Sequence, residues 1–190
     1  MLPVLVALVL VACGGGAPPP APAPPPIPAA PPPPPPEPAK DLTAMTPEEQ
    51  KAELMKHGEK VFKTGGKGGL ACITCHQEDG KGVPGSFPPL VGSKDWMGDC
   101  VHHAGLVVHG LQGEIEVGGA KFNGVMTPQG TLMSDLEIAA AITYERNSWG
   151  NDFGICLPAD VVAARAAPAP TGPMAGEEKG DKAKGKAKAK

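Results

Sequence analysis

Cys72-Ile73-Thr74-Cys75-His76 decides how this chain is read. Two thiols separated by two residues, with an imidazole directly after the second, have the attachment spacing of c-type haem. The spacing has a chemical reason. The thiols add across two vinyl groups on one edge of a porphyrin, and the adjacent ring reaches the iron from one face. A zinc site would want a second Cys or His pair at ligand spacing, and the sequence has no second C-x-x-C. A thioredoxin-like dithiol would sit in a βαβ pattern, and none surrounds Cys72. The motif predicts one covalently bound haem c, held by Cys72 and Cys75 and ligated by His76.

The chain has five cysteines, and each can be given a role. Cys13 ends a short apolar run, and Leu10-Val11-Ala12-Cys13 has the form of a bacterial lipobox. Such a site would remove residues 1–12 as a signal peptide and attach lipid to Cys13, giving the protein a bilayer partner. An ordinary small-residue cleavage site is the alternative. As a helix, 12 residues reach about 18 Å at ~1.5 Å each, short of a hydrocarbon core of about 30 Å. The run therefore suits a signal-peptide core, although no basic residue precedes it. Cys100 and Cys156 remain, either as a disulfide or as two separate buried thiols. Thiol attachment of haem and export both suit an oxidising compartment on the periplasmic side of a membrane.

Residues 13–45 are dominated by Pro and Ala, which cannot build a core and favour extended polyproline II. They read as a stalk. Pro18 to Pro38 would span roughly 65 Å at ~3.1 Å per residue. Residues 161–190 read as a low-complexity Ala/Pro/Lys tail, with six Lys between Gly176 and Lys190 against Glu177, Glu178 and Asp181. One folded domain, residues 46–160, lies between them. From Lys40 to Arg165 there are 11 Lys and Arg against 16 Asp and Glu, a net −5. That balance gives no support to a nucleic-acid partner.

Three helices are legible in the domain. Thr46-Pro47-Glu48-Glu49 is a capping box with Pro at the first helical position. Leu54, Gly58, Val61 and Phe62 follow at helical spacing, and Gly65-Gly66 stop the helix. Asp99 caps a second helix ending at Gly110. Ser134-Asp135-Leu136-Glu137 is another capping box, opening a helix to about Asn147. Strand alternation is scarce, so the expected fold is all-α, with three to five helices and long loops around one haem.

What stands opposite His76 decides between electron transfer and small-molecule chemistry. The candidates are Met97, Met126 and Met133, with His102, His103 and His109. Met126 lies in Phe122-Asn123-Gly124-Val125-Met126-Thr127-Pro128, read as an irregular loop able to present a thioether. Met133 precedes a helix start and packs, and Met97 lines a pocket beside Trp96. The three histidines fall on the middle helix, where surface or hydrogen-bonding roles are the default.

These stretches together resemble class I monohaem cytochromes c over about Gly58 to Gly150. The resemblance rests on Cys72 to His76, on Gly85-Ser86-Phe87-Pro88-Pro89-Leu90-Val91-Gly92 and on Val108-His109-Gly110-Leu111-Gln112-Gly113. Phe122 to Met126 and Leu136 to Gly150 complete it. It implies the cytochrome c fold and Met126 as distal ligand. It also implies that the Pro88 carbonyl accepts a hydrogen bond from His76, that Leu90 packs on the macrocycle, and that Gly58 and Phe62 cross a last helix at Tyr144. Two features depart from the family pattern: Thr127 intervenes between Met126 and Pro128, and the Cys100 and Cys156 pair is unusual.

The expectation is a non-enzymatic, lipid-anchored one-electron carrier of a respiratory chain, serving redox protein partners. Lys60, Lys63, Lys67 and Lys81 lie near the attachment site in sequence and would steer an acidic partner. The rivals are a fixed subunit of a membrane respiratory complex, such as alternative complex III, and a small haem enzyme or gas sensor with an open iron position.

Overall fold

Thr46 opens the longest helix by the reciprocal bonds of a capping box. Its hydroxyl accepts from the Glu49 amide, and the Glu49 carboxylate accepts from the Thr46 amide. The Glu49 carboxyl is thereby held below its ordinary value, by the Thr46 backbone bond first. This helix, α1, runs Pro47–Thr64 and ends where Gly65 turns left-handed at φ 78°. The structure is a computed structural model that describes residues 41–174. The Cys13 lipobox and most of the Pro/Ala segment lie outside the described residues, as does the basic tail from residue 175.

Five further helices follow α1: α2 Ile73–His76, α3 Lys94–Met97, α4 Cys100–His109, α5 Asp135–Asn147 and α6 Pro158–Ala166. A 3-10 turn, Leu42–Ala44, precedes them and buries Leu42. The expected caps are present on α4, where Asp99 accepts from the His102 amide, and on α5, where Ser134 and Glu137 bond reciprocally.

Two elements differ from the sequence reading. The first is an antiparallel hairpin, β1 Leu111–Val117 with β2 Ala120–Met126, pairing Leu111 with Met126 and Ile115 with Phe122. The two-residue loop Gly118-Gly119 has φ of 59° and 80°, which glycine adopts without a Cβ penalty and which suits a tight hairpin turn. Inward and outward residues alternate along β1. Met126 is thus the last residue of a strand, where the sequence reads as a loop. The second is α6, which crosses the expected boundary at residue 160 and buries Val161 and Ala164 against the core. Its signal was local: Pro158 at the first position and Asp160 accepting from the Leu157 amide at 2.7 Å.

The core is built on the crossing of α1 over α5. A Cβ placed on Gly58 would sit inside the contact distance of the Ala140 carbonyl and 2.8 Å from Tyr144 Cβ. Only the absent side chain permits this approach. Phe62, Tyr144 and Trp149 close the crossing, with ring centroids 5.4 to 5.6 Å apart. Gly58→Ala should therefore separate the helices and cost about 3 kcal/mol, the upper end of overpacking. Chemical denaturation of the haem-loaded protein checks this, and an unchanged midpoint would show the crossing to be loosely packed.

A covalent clip fastens the far side. Cys100, the first residue of α4, is bonded to Cys156, just before α6, with Cα atoms 5.5 Å apart. His109 Nε2 lies 3.0 Å from the Ala164 carbonyl, and Arg165 donates to Asp135 and to the carbonyls of Gly130 and Met133. The helix at the end of the domain is held on α4 by these bonds. Among the described residues, no helix is long and apolar enough to cross a membrane.

Candidate haem site

A single helical turn arranges the signature. Cys72 stands at its N-terminal boundary, with Cys75 and His76 three and four residues later, so all three share one face. The His76 amide donates to the Cys72 carbonyl at 2.9 Å, and the turn stops at Gln77, whose φ is 62°. Neither thiol of the motif is in a disulfide.

The His76 ring is aimed by a backbone acceptor. Nδ1 lies 3.0 Å from the Pro88 carbonyl. A carbonyl can only accept, so Nδ1 carries the proton and Nε2 keeps its lone pair. That carbonyl is held by its own segment. The Leu90 amide donates to Gly80 at 2.7 Å, and Gly82 donates to the His76 carbonyl at 3.0 Å. Asn151 clamps the segment from behind: its Nδ2 donates to the carbonyls of Leu90 and Glu145, and its Oδ1 accepts from the Gly92 amide. Trp149 Nε1 adds a bond to the Glu78 carbonyl at 2.9 Å. Sequence reasoning did not single out Asn151 or Trp149 as supports, because their partners lie some 60 to 70 positions away.

A cleft opens over this turn. Its walls include Cys72, Cys75, His76, Pro88, Leu90, Trp96, Met97, Leu106, Ile115, Val117, Met126 and Met133. The hairpin forms one wall, tied to α3 by Trp96 Nε1 donating to the Glu116 carbonyl at 3.1 Å. The lining is mostly apolar, with the two thiols and the imidazole gathered at one side. That donor set and shape fit a flat apolar macrocycle attached along one edge, which is the test a c-type haem has to pass.

The three methionine candidates all reach this cleft, and they differ in freedom. Met97 is 2% exposed on α3 and Met133 is 1% exposed within the core. Met126 is only partly buried, at the end of β2. The chain after it is anchored from outside the strand: Gln129 accepts from the Leu70 amide at 2.8 Å, and the Gln129 amide donates to the Val107 carbonyl at 2.9 Å. Thr127 is accommodated in that connection, where its carbonyl accepts from Gln129 Nε2.

The histidines divide as well. His109 bonds to α6, as described, and His102 is half-buried, its basicity lowered first by burial. His103 lines the cleft, against Glu145. Cys72 is half-buried as a residue, yet burial of its thiol, and then the Glu145 carboxylate, push its ionisation well above the ordinary cysteine value. The thiol is kept protonated in the apo protein. The lysines near the turn are partly neutralised: Lys63 pairs with Glu59 at 2.8 Å and Lys81 with Asp79 at 3.1 Å.

A helical domain that gathers two thiols, an oriented imidazole and a thioether around one apolar cleft defines a haem-carrying protein. Comparison with known proteins agrees: the family model of cytochrome c matches residues 55–149. Cytochrome c-552 of Thermus thermophilus is 40% identical over 87 residues, covering 42% of this chain and 63% of that protein. The protein of the same name from another strain of that organism matches at the same identity over 56% of its length. The chain thus spans less than two thirds of these relatives. It belongs to the cytochrome c family, as a class I monohaem member with one covalently attached haem c. Proteins of this family carry electrons.

Proposed function

We propose that this protein is a lipid-anchored, extracytoplasmic one-electron carrier in a respiratory chain, with the haem attached through Cys72 and Cys75 and ligated by His76 and Met126. The observation that carries the reading is the 3.0 Å bond from His76 Nδ1 to Pro88, which leaves Nε2 as a fixed donor into a cleft that Met126 also lines. Backbone partners of this kind raise a histidine's basicity and fix its orientation.

Each side chain then has a defined task. Cys72 and Cys75 hold one edge of the macrocycle, while Pro88 and Asn151 keep His76 from rotating. Leu90, Trp96 and Leu106 exclude water from the faces. Met126, at the end of a paired strand, supplies a soft thioether, and His/Met ligation raises the potential. With both axial positions filled by protein, the bound haem passes electrons without binding substrate.

Cys13 supplies the anchor in this reading, with residues 1–12 as signal peptide and residues 13–45 as stalk. A lasting tether needs more than one acyl chain, and lipoprotein processing supplies that. Partners are redox proteins or a membrane respiratory complex approaching the exposed haem edge.

The test compares haem-loaded wild type with Cys13→Ser. Both should titrate reversibly as one-electron couples, stay low-spin and exclude CO, and only the wild type should fractionate with membranes. CO binding by the unmodified ferrous protein would overturn the carrier reading. Membrane association of the Cys13→Ser protein would overturn the anchor.

A further inference from the structure

The wall of the haem cleft contains one buried ionisable pair. His103, on α4, places Nε2 at 3.0 Å from Glu145 Oε2, on α5, and the two side chains are 4% and 5% exposed. Both line the cleft beside apolar neighbours such as Leu106, Val107 and Ala141. Stability alone does not account for them. Replacing a buried ion pair by apolar residues of similar volume is often neutral or stabilising. The pair is also incompletely satisfied, since His103 Nδ1 is buried without a hydrogen-bond partner among the described residues. A polar pair in such a wall has one property that two leucines lack: it can change its number of protons.

The surrounding charges leave that role to the pair. On α5, Arg146 spends its guanidinium on the carbonyls of Met97, Gly98, Phe153 and Gly154. On α4, Asp99 caps its own helix, and His102 stands next to His103 and interacts with it. On α6, Asp160 caps and Arg165 bonds Asp135. On α1, Lys63 is turned to Glu59, and on the hairpin Lys121 is paired with Glu114. From α2, the Cys72 thiol hydrogen-bonds Glu145. That donor is lost once the thiol becomes a thioether, leaving His103 as the partner of Glu145. Cys72 and Cys75 take the vinyl edge of a porphyrin, and the propionates stand on the opposite edge. The His103 and Glu145 pair therefore belongs to the attachment edge, apart from the propionates.

We propose that His103 and Glu145 form a proton site coupled to the redox state of the haem, so that this carrier moves a proton with its electron. The pair takes up one proton from solvent when the haem gains one electron from a donor protein, and returns it when the electron leaves. Only an N–H or O–H bond is made and broken. The coupling is electrostatic: a charge change nearby, in a poorly polarisable wall, is felt strongly by a buried titrating group. The inference rests on the electron-carrier reading above.

The experiment measures the midpoint potential of the holo protein across about pH 5 to 8, where histidine changes charge. Full coupling changes the redox equilibrium tenfold per pH unit, which is 59 mV for one electron. The sign follows from the reduced form holding the extra proton, so the wild-type potential should fall as pH rises. The double variant His103→Leu/Glu145→Leu keeps the propionates and should fall measurably less. Equal slopes would overturn the proposal. Nuclear magnetic resonance on the unmodified protein gives a second reading that needs no variant. The His103 ring signals should titrate at higher pH with ferrous than with ferric haem, and identical curves would also overturn it. Absence of a reversible one-electron couple at any pH would instead sink the carrier reading.

Discussion

Met126→Ala should convert the ferrous haem from a low-spin, CO-excluding centre into one that binds CO. The weak sulfur-to-iron absorption of the oxidised protein should vanish with it. Removing the thioether should also lower the midpoint potential by tenths of a volt, within the ~0.8 V that axial ligands span. The expectation is specific because three methionines line the cleft. Met97 and Met133 are enclosed almost completely, so truncating either should create a cavity costing about 2–5 kcal/mol while leaving the spectrum low-spin. Met126 is partly exposed at a strand end, so truncating it should cost little stability and change the spectrum entirely. Met97→Ala opening the iron while Met126→Ala does not would reverse the assignment.

Cys100→Ala/Cys156→Ala should produce the largest loss of stability. The bridged residues are separated by 56 positions, and closing a loop of that length restricts the unfolded chain by about 4 kcal/mol. For a domain of this size such a loss corresponds to a fall in Tm of roughly 10–15 °C. The effect should concentrate at one end of the molecule, because the bridge ties the start of α4 to the segment leading into α6. Hydrogen exchange should rise first in Pro158–Ala166, while the spectrum at room temperature stays native. A Tm unchanged after removal of both sulfurs would mean that the bonds of His109 and Arg165 to α6 and its neighbours suffice.

How much could be read before folding depended on the range of each interaction. The caps at Thr46, Asp99 and Ser134 act over three residues, and they locate α1, α4 and α5 directly. The hairpin carried a local signal too, with Gly118-Gly119 between two stretches of partial alternation. It was missed because the stretch ending in Met126 contains Gly124 and leads to Pro128, which read as loop. Tertiary pairing overrode that composition: Met126 closes the register opposite Leu111. The short α6 was obscured by its Ala-rich composition, which continues into low-complexity sequence, although Pro158 and Asp160 marked its start.

By itself, the sequence determined the haem attachment at Cys72 and Cys75, the ligating role expected of His76 and the helical character of the domain. The spacings that encode these features span one helical turn, where covalent geometry leaves little choice. Tertiary structure alone decided which methionine is free enough to turn toward the iron and that Asn151 locks the Pro88 segment. It also decided that His103 and Glu145, on different helices, meet in the haem wall. Those relations depend on how α4, α5 and the hairpin pack around one cleft, and no periodicity along the chain records a contact between elements.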